Sequence, residues 1–277
     1  MAQIVTVHDL SGVGRCSLNA AISILSAMGH YCLALPTAIL SNQTGFGDFS
    51  YLDLTGEIPD YLEHWKRRNL HPDAIYTGFL GSGAQPAMIV DRLISQYPDA
   101  FILVDPVMGE DGELYSCFDR NYVREMKRLV AHAHLITPNP TELFLLSNLP
   151  PDTDWRTLSD QEFLKIALEI APGTLKQIVV TGCRSKDLAQ ILQIDLEHQA
   201  VYRLNYRDTG VGYSGTGDIF ASVLCGAVMR GAPLAEAVKL ALNFISLALS
   251  NLSPENDPRE GIPFELYLGR LVSNVSG

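Results

Sequence analysis

The sequence predicts an α/β protein in which a mostly parallel central sheet is covered by helices on both faces. Apolar, β-branched runs alternate along the chain with segments of helical periodicity, as in parallel sheets joined by crossover helices. Polar residues follow several of the predicted strands, where such sheets bind their ligands. With 277 residues, 47% of them hydrophobic, and no linker or repeat, we expect one domain over residues 1–277.

The predicted strands are short apolar runs, and the predicted helices repeat apolar residues every three or four positions. The last two helices follow one another with no strand between them. The strands are expected at residues 4–7, 31–35, 74–77, 100–104, 135–137, 177–181, 188–193 and 201–204. The helices are expected at residues 17–28, 59–69, 86–97, 120–131, 141–147, 161–170, 218–230 and 233–250.

Charge and cysteine content exclude several classes of function. The formal net charge of −11 disfavours partners such as nucleic acids and anionic membranes, which require basic surfaces. The five cysteines show no CxxC spacing and are odd in number, which indicates reduced thiols in a cytoplasmic protein. Asp9 interrupts the N-terminal apolar run too early for a signal peptide, and no apolar run reaches the length of a membrane span.

The most informative motif is Gly215-Thr216-Gly217-Asp218, which precedes an apolar helical segment. A glycine turn that opens a helix directs backbone N–H groups at one point and forms an anion site, commonly for phosphate. The carboxylate of Asp218 would repel an anion there unless it performs chemistry. We therefore interpret Asp218 as a base that deprotonates a hydroxyl while a phosphoryl group arrives. The alternative is an acidic residue that merely stabilises a helix N-terminus.

A dinucleotide site is a rival interpretation, because residues 210–215 match the pattern G-x-G-x-x-G. In dinucleotide-binding proteins a helix, a second strand and an acidic residue follow this pattern. Here the first helix leads into another helix, which carries Glu236, so the context argues against an oxidoreductase. The Walker A pattern is absent from the sequence, which excludes a kinase of the P-loop type.

Acidic residues also follow two strands in the middle of the chain. Asp105 comes after the strand that ends at Val104, and residues 110–113 form an acidic loop with one glycine. Asp105 could help to hold Mg²⁺, or it could cap a turn. Asn139 and Glu142 have the spacing of a capping box, although they could equally provide oxygen atoms around Mg²⁺ and its waters.

The motifs occur together, in order, as in the ribokinase-like superfamily, and the chain resembles the pyridoxal/pyridoxamine kinases within it. The resemblance covers nearly the whole chain. It implies a ribokinase-like three-layer α/β/α fold and ATP-dependent phosphorylation of the 5′-hydroxymethyl group of a B6 vitamer. It rests on Ser41-Asn42-Gln43-Thr44-Gly45-Phe46, Thr77-Gly78-Phe79-Leu80-Gly81, Asp105-Pro106-Val107-Met108-Gly109, Thr137-Pro138-Asn139-Pro140-Thr141-Glu142 and Gly215-Thr216-Gly217-Asp218.

The resemblance also implies roles for individual residues. Asp218 is expected to be the base, and Gly215, Thr216 and Gly217 the anion hole for the phosphoryl group. ATP is expected at Asp105, Thr137, Asn139, Glu142, Thr181 and Gly182, with Asp105 and Glu142 near Mg²⁺. The vitamer is expected at Asp9, Asn42, Gln43, Thr44 and Phe79. The loop after Gly109 is expected to act as a lid, and such enzymes are commonly homodimers that also use a monovalent cation such as K⁺.

Three departures from the family pattern concern the vitamer. Gln43 stands where many relatives have His, His8-Asp9-Leu10 where many have Gln-Ser-His, and Phe79 where Tyr is frequent. Hydroxymethylpyrimidine kinases share this fold and form the nearest alternative, although they often have Cys at the position of Asp218. A vitamin-binding protein without activity is a further alternative, but it would not need a carboxylate beside an anion hole.

Overall fold

The computed structural model describes residues 1–171, 173–185, 188–206, 210–250, 252–253 and 255–272. The chain forms two compact units. Unit 1 comprises Met1–Tyr76 together with Thr209–Gly277, and unit 2 comprises Thr77–Asp208. The expectation of a single domain over residues 1–277 stays a prediction.

Unit 1 is built on strands in the order β4-β1-β2-β3. Strands β1 and β2 are parallel, and the short β3 pairs with β2 in the antiparallel direction. Helix α1 packs against β1, β2 and α7, and α7 packs against α8. The elements are β1 Gln3–Ser11, α1 Ser17–Ala27, β2 Tyr31–Leu40, β3 Tyr51–Asp53, α2 Ile58–Arg67, β4 Ala74–Thr77, α7 Thr216–Met229 and α8 Leu234–Leu249, with β4 ending on the first residue of unit 2.

Unit 2 contains strands in the order β11-β10-β9-β8-β5 and a separate hairpin, β6-β7. Strands β5, β8 and β9 are parallel, whereas β10 and β11 continue the sheet in antiparallel pairs. The elements are α3 Gln85–Met88, β5 Phe101–Val104, β6 Gly109–Glu110, β7 Glu113–Leu114, α4 Arg120–Val130, β8 Leu135–Ile136, α5 Pro140–Leu146, α6 Asp160–Ile170, β9 Gln177–Ser185, β10 Leu188–Asp195 and β11 Ala200–Asn205.

The central strands are buried because helices cover them. Strand β1 buries six consecutive residues from Ile4 to Asp9, a continuous run of the kind found in parallel strands with both faces covered. Helix α7 buries the nine residues from Ile219 to Ala227, and Gly226 lies so close to Met28 that a Cβ atom would come within 2.5 Å of its sulfur. These observations confirm the predicted α/β class with a mostly parallel sheet.

The structure differs from the predicted elements at several places, and strand β3 at Tyr51–Asp53 was not predicted. Residues 86–97 were expected to form one α-helix, but a single α-helical turn, α3, leads into a π-helix at Ile89–Ile94. Apolar residues at 89, 90, 93 and 94 fit both helix periods, so the pattern could not distinguish them. The acidic loop forms the β6-β7 hairpin around Asp111 and Gly112, whose φ angles of 53° and 84° fit a two-residue hairpin turn.

Candidate active site

The turn that opens α7 accepts only glycine at position 215. Gly215 has a φ of 75°, and a Cβ atom there would lie 2.1 Å from the carbonyl oxygen of Arg15. The preceding Ser214 donates from its backbone to Pro258, and Arg15 donates to Glu260, so three chain segments meet at the turn. Thr216 donates from both its N–H and its hydroxyl group to the carbonyl of Tyr213. These contacts fix the turn at the start of α7, a position at which helix N–H groups can bind an anion.

Asp218 lies in the first turn of α7, next to these donors. Its side chain is 15% exposed, and burial raises its pKa to about 7, with the carboxylate of Asp9 adding to the increase. The backbone N–H of Ser17, at the start of α1, donates to the Asp218 carboxylate and opposes the increase. A carboxyl group with a pKa near neutrality is well suited to accept a proton at physiological pH.

His8 lies beside this carboxylate, within the buried strand β1. The imidazole is fully buried, and neither ring nitrogen has a hydrogen-bond partner among the described residues. Its Nδ1 atom is 3.8 Å from Oδ1 of Asp218. Burial lowers the pKa of His8 to about 3, so the ring is neutral and the contact is not an ion pair. An unpaired buried polar atom costs about 1–3 kcal/mol, so a functional role is a reasonable explanation.

Asp9 and Ser17 form a second polar group in unit 1. The Ser11 hydroxyl donates to Oδ2 of Asp9 at 2.8 Å, and the Ser17 side chain also bonds this carboxylate. Burial nevertheless raises the pKa of Asp9. Ser17 has a φ of 50°, a conformation that costs a non-glycine residue energy and that clusters at functional sites. Ser17 thus contacts both Asp218 and Asp9.

The loop after β2 contains the remaining vitamer candidates of unit 1. Oε1 of Gln43 accepts from the N–H of Gly45, and its amide nitrogen donates to the carbonyl of Arg259 at 2.9 Å. Asn42 donates to the carbonyl of Asp48, while Thr44 is exposed at the start of a 3₁₀ turn. The Gln43 side chain therefore holds the loop in place, which leaves its amide less available for a ligand than the sequence implied.

In unit 2, parallel pairing brings two candidate residues together at the carboxyl edge of the sheet. Val104 of β5 is in register with Ile136 of β8, so the next residues, Asp105 and Thr137, are neighbours. The Thr137 hydroxyl donates to Oδ1 of Asp105 at 3.0 Å. The backbone of Thr181, on the adjoining strand β9, donates to Pro138 at 2.9 Å.

Glu142 forms the predicted capping box with Asn139. Its Oε2 accepts from the Asn139 N–H at 2.8 Å, and its own N–H donates to Oδ1 of Asn139 at 2.9 Å. Its Oε1 accepts from the N–H of Met108, next to the Asp105 turn. Burial and then the charge of Asp105 raise the pKa of Glu142 well above its usual range. Two buried carboxyl groups near one another are unfavourable without a cation.

The remaining predicted features of unit 2 are the β6-β7 hairpin, Gly182 and Phe79. The Asn139 amide donates to the carbonyl of Gly109, and the Gly112 N–H donates to the Thr141 hydroxyl, so the first strand and the turn of the hairpin are both tied to the start of α5. Gly182 has a φ of 64° and lies against the Asn139 side chain. Phe79 packs on the Phe118 ring with the centroids 5.5 Å apart.

The donor set of unit 2 fits Mg²⁺ with a bound nucleotide better than a cation alone. Within the described residues, no cluster of three or more His, Cys, Asp or Glu side chains could hold a metal ion. Mg²⁺ in nucleotide sites typically takes one or two carboxylates and completes its shell with phosphate oxygens and water. Since both Glu142 oxygens accept from the backbone, Asp105 is the better direct ligand, and Glu142 would act by its charge or through water.

Sequence reasoning noted His8 only as part of a departure from the family pattern, and it missed both the position of His8 beside Asp218 and the role of Ser17. A histidine in a buried strand gives no functional signal by itself, because its neighbour Asp218 lies far away in the sequence. The strained backbone of Ser17 is not visible in the sequence, since serine rarely adopts a positive φ. The rival dinucleotide pattern is not supported, because α7 is followed by α8 rather than by a strand. No helix of the described residues is long and apolar enough to cross a membrane.

Comparison with known proteins identifies relatives over nearly the whole chain. The model of the family described as phosphomethylpyrimidine kinase matches residues 13–259. A pyridoxine/pyridoxal/pyridoxamine kinase of Bordetella avium is 27% identical over 93% of this chain and 90% of its own. The pyridoxal kinase structure from Lactobacillus plantarum has a TM-score of 0.89 and 31% identity, covering 98% of this chain and 96% of that one.

A further solved structure comes from Bacteroides thetaiotaomicron. That protein is provisionally described as a phosphomethylpyrimidine kinase, and it was crystallised with pyridoxal. Its TM-score is 0.91 at 37% identity, over 100% of this chain and 97% of the other.

Proposed function

The chain belongs to the phosphomethylpyrimidine kinase family, and on that premise we propose that it transfers a phosphoryl group from ATP to the 5′-hydroxymethyl group of a B6 vitamer. It has the ribokinase-like fold of the pyridoxal kinases to which it is similar. The substrates are thus ATP and a small alcohol, pyridoxal, pyridoxamine or pyridoxine.

The observation that carries the mechanism is the position of Asp218 at the glycine turn, with its pKa raised to about 7. In the proposed step Asp218 takes the proton of the hydroxymethyl group, whose oxygen forms a bond to the γ-phosphorus of ATP. The bond from this phosphorus to the bridging oxygen breaks, and ADP leaves with the electron pair. The N–H groups of Gly215 and Gly217 would stabilise the charge on the phosphoryl oxygens, while Thr216, whose N–H donates to Tyr213, would shape the anion hole.

The residues of unit 2 serve the nucleotide in this proposal. Asp105, Thr137, Asn139, Thr181 and Gly182 would contact ATP, with Asp105 binding Mg²⁺ and Glu142 adding charge close to it. When bound, Mg²⁺ neutralises phosphate charge as it develops during transfer. The hydrogen bonds between Asn139 and Gly109 and between Thr141 and Gly112 would anchor the β6-β7 hairpin as a lid that excludes water.

Asp9 would distinguish the vitamers. A carboxylate that meets the amine of pyridoxamine gains a charge-assisted hydrogen bond, which pyridoxal and pyridoxine do not offer. We expect pyridoxamine to be used at least as well as pyridoxal, and Asp9→Asn to erode that preference by about 1–2 kcal/mol. The ratio of kcat/KM for pyridoxamine to kcat/KM for pyridoxal measures this preference. Asp48→Asn, at an exposed position, is the control. An unchanged ratio in Asp9→Asn would show that Asp9 does not bind the amine of pyridoxamine.

Asn42, Thr44 and Phe79 would complete the vitamer contacts, and Gln43 would position Thr44.

The remaining properties follow from the resemblance to B6 kinases. We infer a homodimer, a monovalent cation such as K⁺ as an activator, and a cytoplasmic location. The five cysteines, all unpaired, and the net charge of −11 support a reducing compartment without nucleic-acid partners.

Hydroxymethylpyrimidine kinase is the second candidate, favoured by the description of the matching family. A coupled assay of ADP release with pyridoxal, pyridoxamine, pyridoxine and hydroxymethylpyrimidine separates the two functions. We expect the three B6 vitamers to have the higher kcat/KM. Turnover of hydroxymethylpyrimidine alone would contradict the proposed function, and so would ADP release that is independent of any alcohol.

A further inference from the structure

We propose that His8 is a positioning residue for the base, and that its Nδ1–H group donates to the Asp218 carboxylate when the acceptor alcohol is bound. The inference rests on the proposed function, since it concerns the group that accepts the proton of that alcohol. It assigns a role to a buried residue that no part of the phosphoryl-transfer mechanism uses.

The geometry around His8 leaves it one evident partner. Both ring nitrogens are buried without a hydrogen bond among the described residues, and Nδ1 lies 3.8 Å from Oδ1 of Asp218. A shift of less than about 1 Å would bring the two atoms to hydrogen-bonding distance. Catalytic hydrogen bonds are often long in the free enzyme and shorten when substrate binds.

Tyr76 of β4 packs against the His8 ring and contacts the segment that carries Asp218. The His8 and Tyr76 rings meet edge to face, with centroids 4.4 Å apart. The Tyr76 hydroxyl donates to the backbone carbonyl of Asp218 at 3.3 Å and lies 3.5 Å from the Ser222 hydroxyl, one turn further along α7. The same tyrosine therefore contacts both the imidazole and the helical turn that carries the base.

The charges around Asp218 favour a donor over a proton relay. The other groups that face it are the Ser17 N–H, the Asp9 carboxylate and the Cys16 thiol, whose pKa is strongly raised. With a pKa of about 3 for His8 and about 7 for Asp218, the proton taken from the alcohol stays on the carboxyl group. A neutral imidazole can then act only as a donor to the ionised base or as an acceptor from the protonated base. A general base acts in its ionised form. The relevant hydrogen bond is therefore the one in which the Nδ1–H group of His8 donates to the ionised carboxylate of Asp218.

The test compares His8→Phe with His8→Asn, because the asparagine amide can place an N–H group near the position of Nδ1. The measurement is the pH dependence of kcat/KM with one B6 vitamer at saturating ATP. Loss of the donor raises the pKa of Asp218, so the acid limb of the His8→Phe profile should move to higher pH by about one unit. His8→Asn should restore most of the wild-type profile. If His8→Phe does not fold, His8→Leu replaces it.

An acid limb that stays in place in His8→Phe, or that moves to lower pH, would overturn the proposal, even if the variant melts at a lower temperature. A second readout is independent of turnover: ¹⁵N NMR of the wild-type enzyme with bound vitamer should show the proton of His8 on Nδ1. A proton on Nε2 would also overturn it. Wild-type enzyme without B6 kinase activity would contradict the proposed function instead, and the NMR measurement with bound vitamer, which requires binding but no turnover, would still test His8.

Discussion

At the scale of single residues, the catalytic role that we propose for Asp218 is accompanied by a cost in stability. The native state raises the pKa of this carboxyl group from 3.8 to about 7, which means that the fold disfavours its ionised form. The contribution of Asp218 to the free energy of unfolding therefore decreases as the pH rises from about 4 to about 7. Above pH 7 the native state carries the full free-energy cost of burying the ionised Asp218 carboxylate.

The first prediction is that Asp218→Asn inactivates and stabilises the protein. Removal of a general base should lower kcat by about 10²–10⁴-fold. Removal of the buried charge should increase the free energy of unfolding at pH 8 by about 1–3 kcal/mol, and the gain should vanish near pH 4. Steady-state kinetics and urea unfolding at both pH values measure the two effects.

Glu236→Gln is the control for this experiment, because Glu236 is also acidic in the first turn of a helix but is exposed. It should leave kcat unchanged and cost a few tenths of a kcal/mol through the helix dipole. Near-normal turnover by Asp218→Asn would exclude Asp218 as the base.

The second prediction concerns Glu142, which we place near Mg²⁺ without direct coordination. Glu142→Gln should raise the Mg²⁺ concentration for half-maximal rate by about tenfold, as is usual for groups that act through metal ligands. The preference among vitamers should not change. Titration of Mg²⁺ at fixed ATP, with pyridoxal and pyridoxamine in parallel, measures both quantities.

Glu162→Gln provides a matched control, since Glu162 closes a similar capping box with Ser159 on an exposed helix end of the same unit. Its substitution removes a capping carboxylate from a different helix, α6. If both variants change the Mg²⁺ requirement equally, or if Glu142→Gln alters only the vitamer preference, Glu142 has no role at the metal.

At the scale of elements, the start of α7 depends on a close contact between backbone segments. The third prediction is that Gly215→Ala costs more than about 3 kcal/mol in unfolding free energy, or prevents folding. The methyl group would meet the Arg15 carbonyl at 2.1 Å in addition to the strain of a positive φ. Thermal unfolding of the purified variants measures the cost.

Gly231→Ala separates the two causes, because Gly231 has a φ of 85° but no atom within 4 Å of the position that a Cβ would take. That variant carries only the conformational strain, which is about 1–2 kcal/mol. Equal destabilisation of the two variants would show that the contact with Arg15 is not tight in solution.

At the scale of the whole molecule, the sequence predicted most of the secondary structure and the parallel pairing. The alternation of apolar runs with helical patterns was enough to predict β1 and α7, since the local periodicity of apolar residues reflects which of them are buried. The capping box of Asn139 and Glu142 was likewise visible, because its partners are three residues apart. The proximity of His8 to Asp218 was not, because tertiary folding alone brings β1 next to the start of α7.

The predicted site residues fall into two sets, one in each unit. Asp9 and Asp218 share the contact with Ser17 in unit 1, and Asp105 and Thr137 are hydrogen-bonded in unit 2. Gln43 shows the limit of a motif: the residue type suggests a ligand contact, whereas its amide bonds to the backbone at both ends. The hydrogen bond of the Gln43 amide depends on the position of the Arg259 carbonyl, which the sequence around Gln43 does not specify.

The acidic pair in unit 2 also determines how nucleotide binding should appear in a calorimeter. Burial and the charge of Asp105 raise the pKa of Glu142, and a cation that arrives with ATP lowers it again, so nucleotide binding should favour release of a proton to the buffer. The heat of binding measured in Tris should then differ from the heat measured in phosphate, in proportion to the ionisation enthalpies of the two buffers. Binding heats that are identical in both buffers would show that no proton leaves, and the same titration with Glu142→Gln should show no buffer dependence.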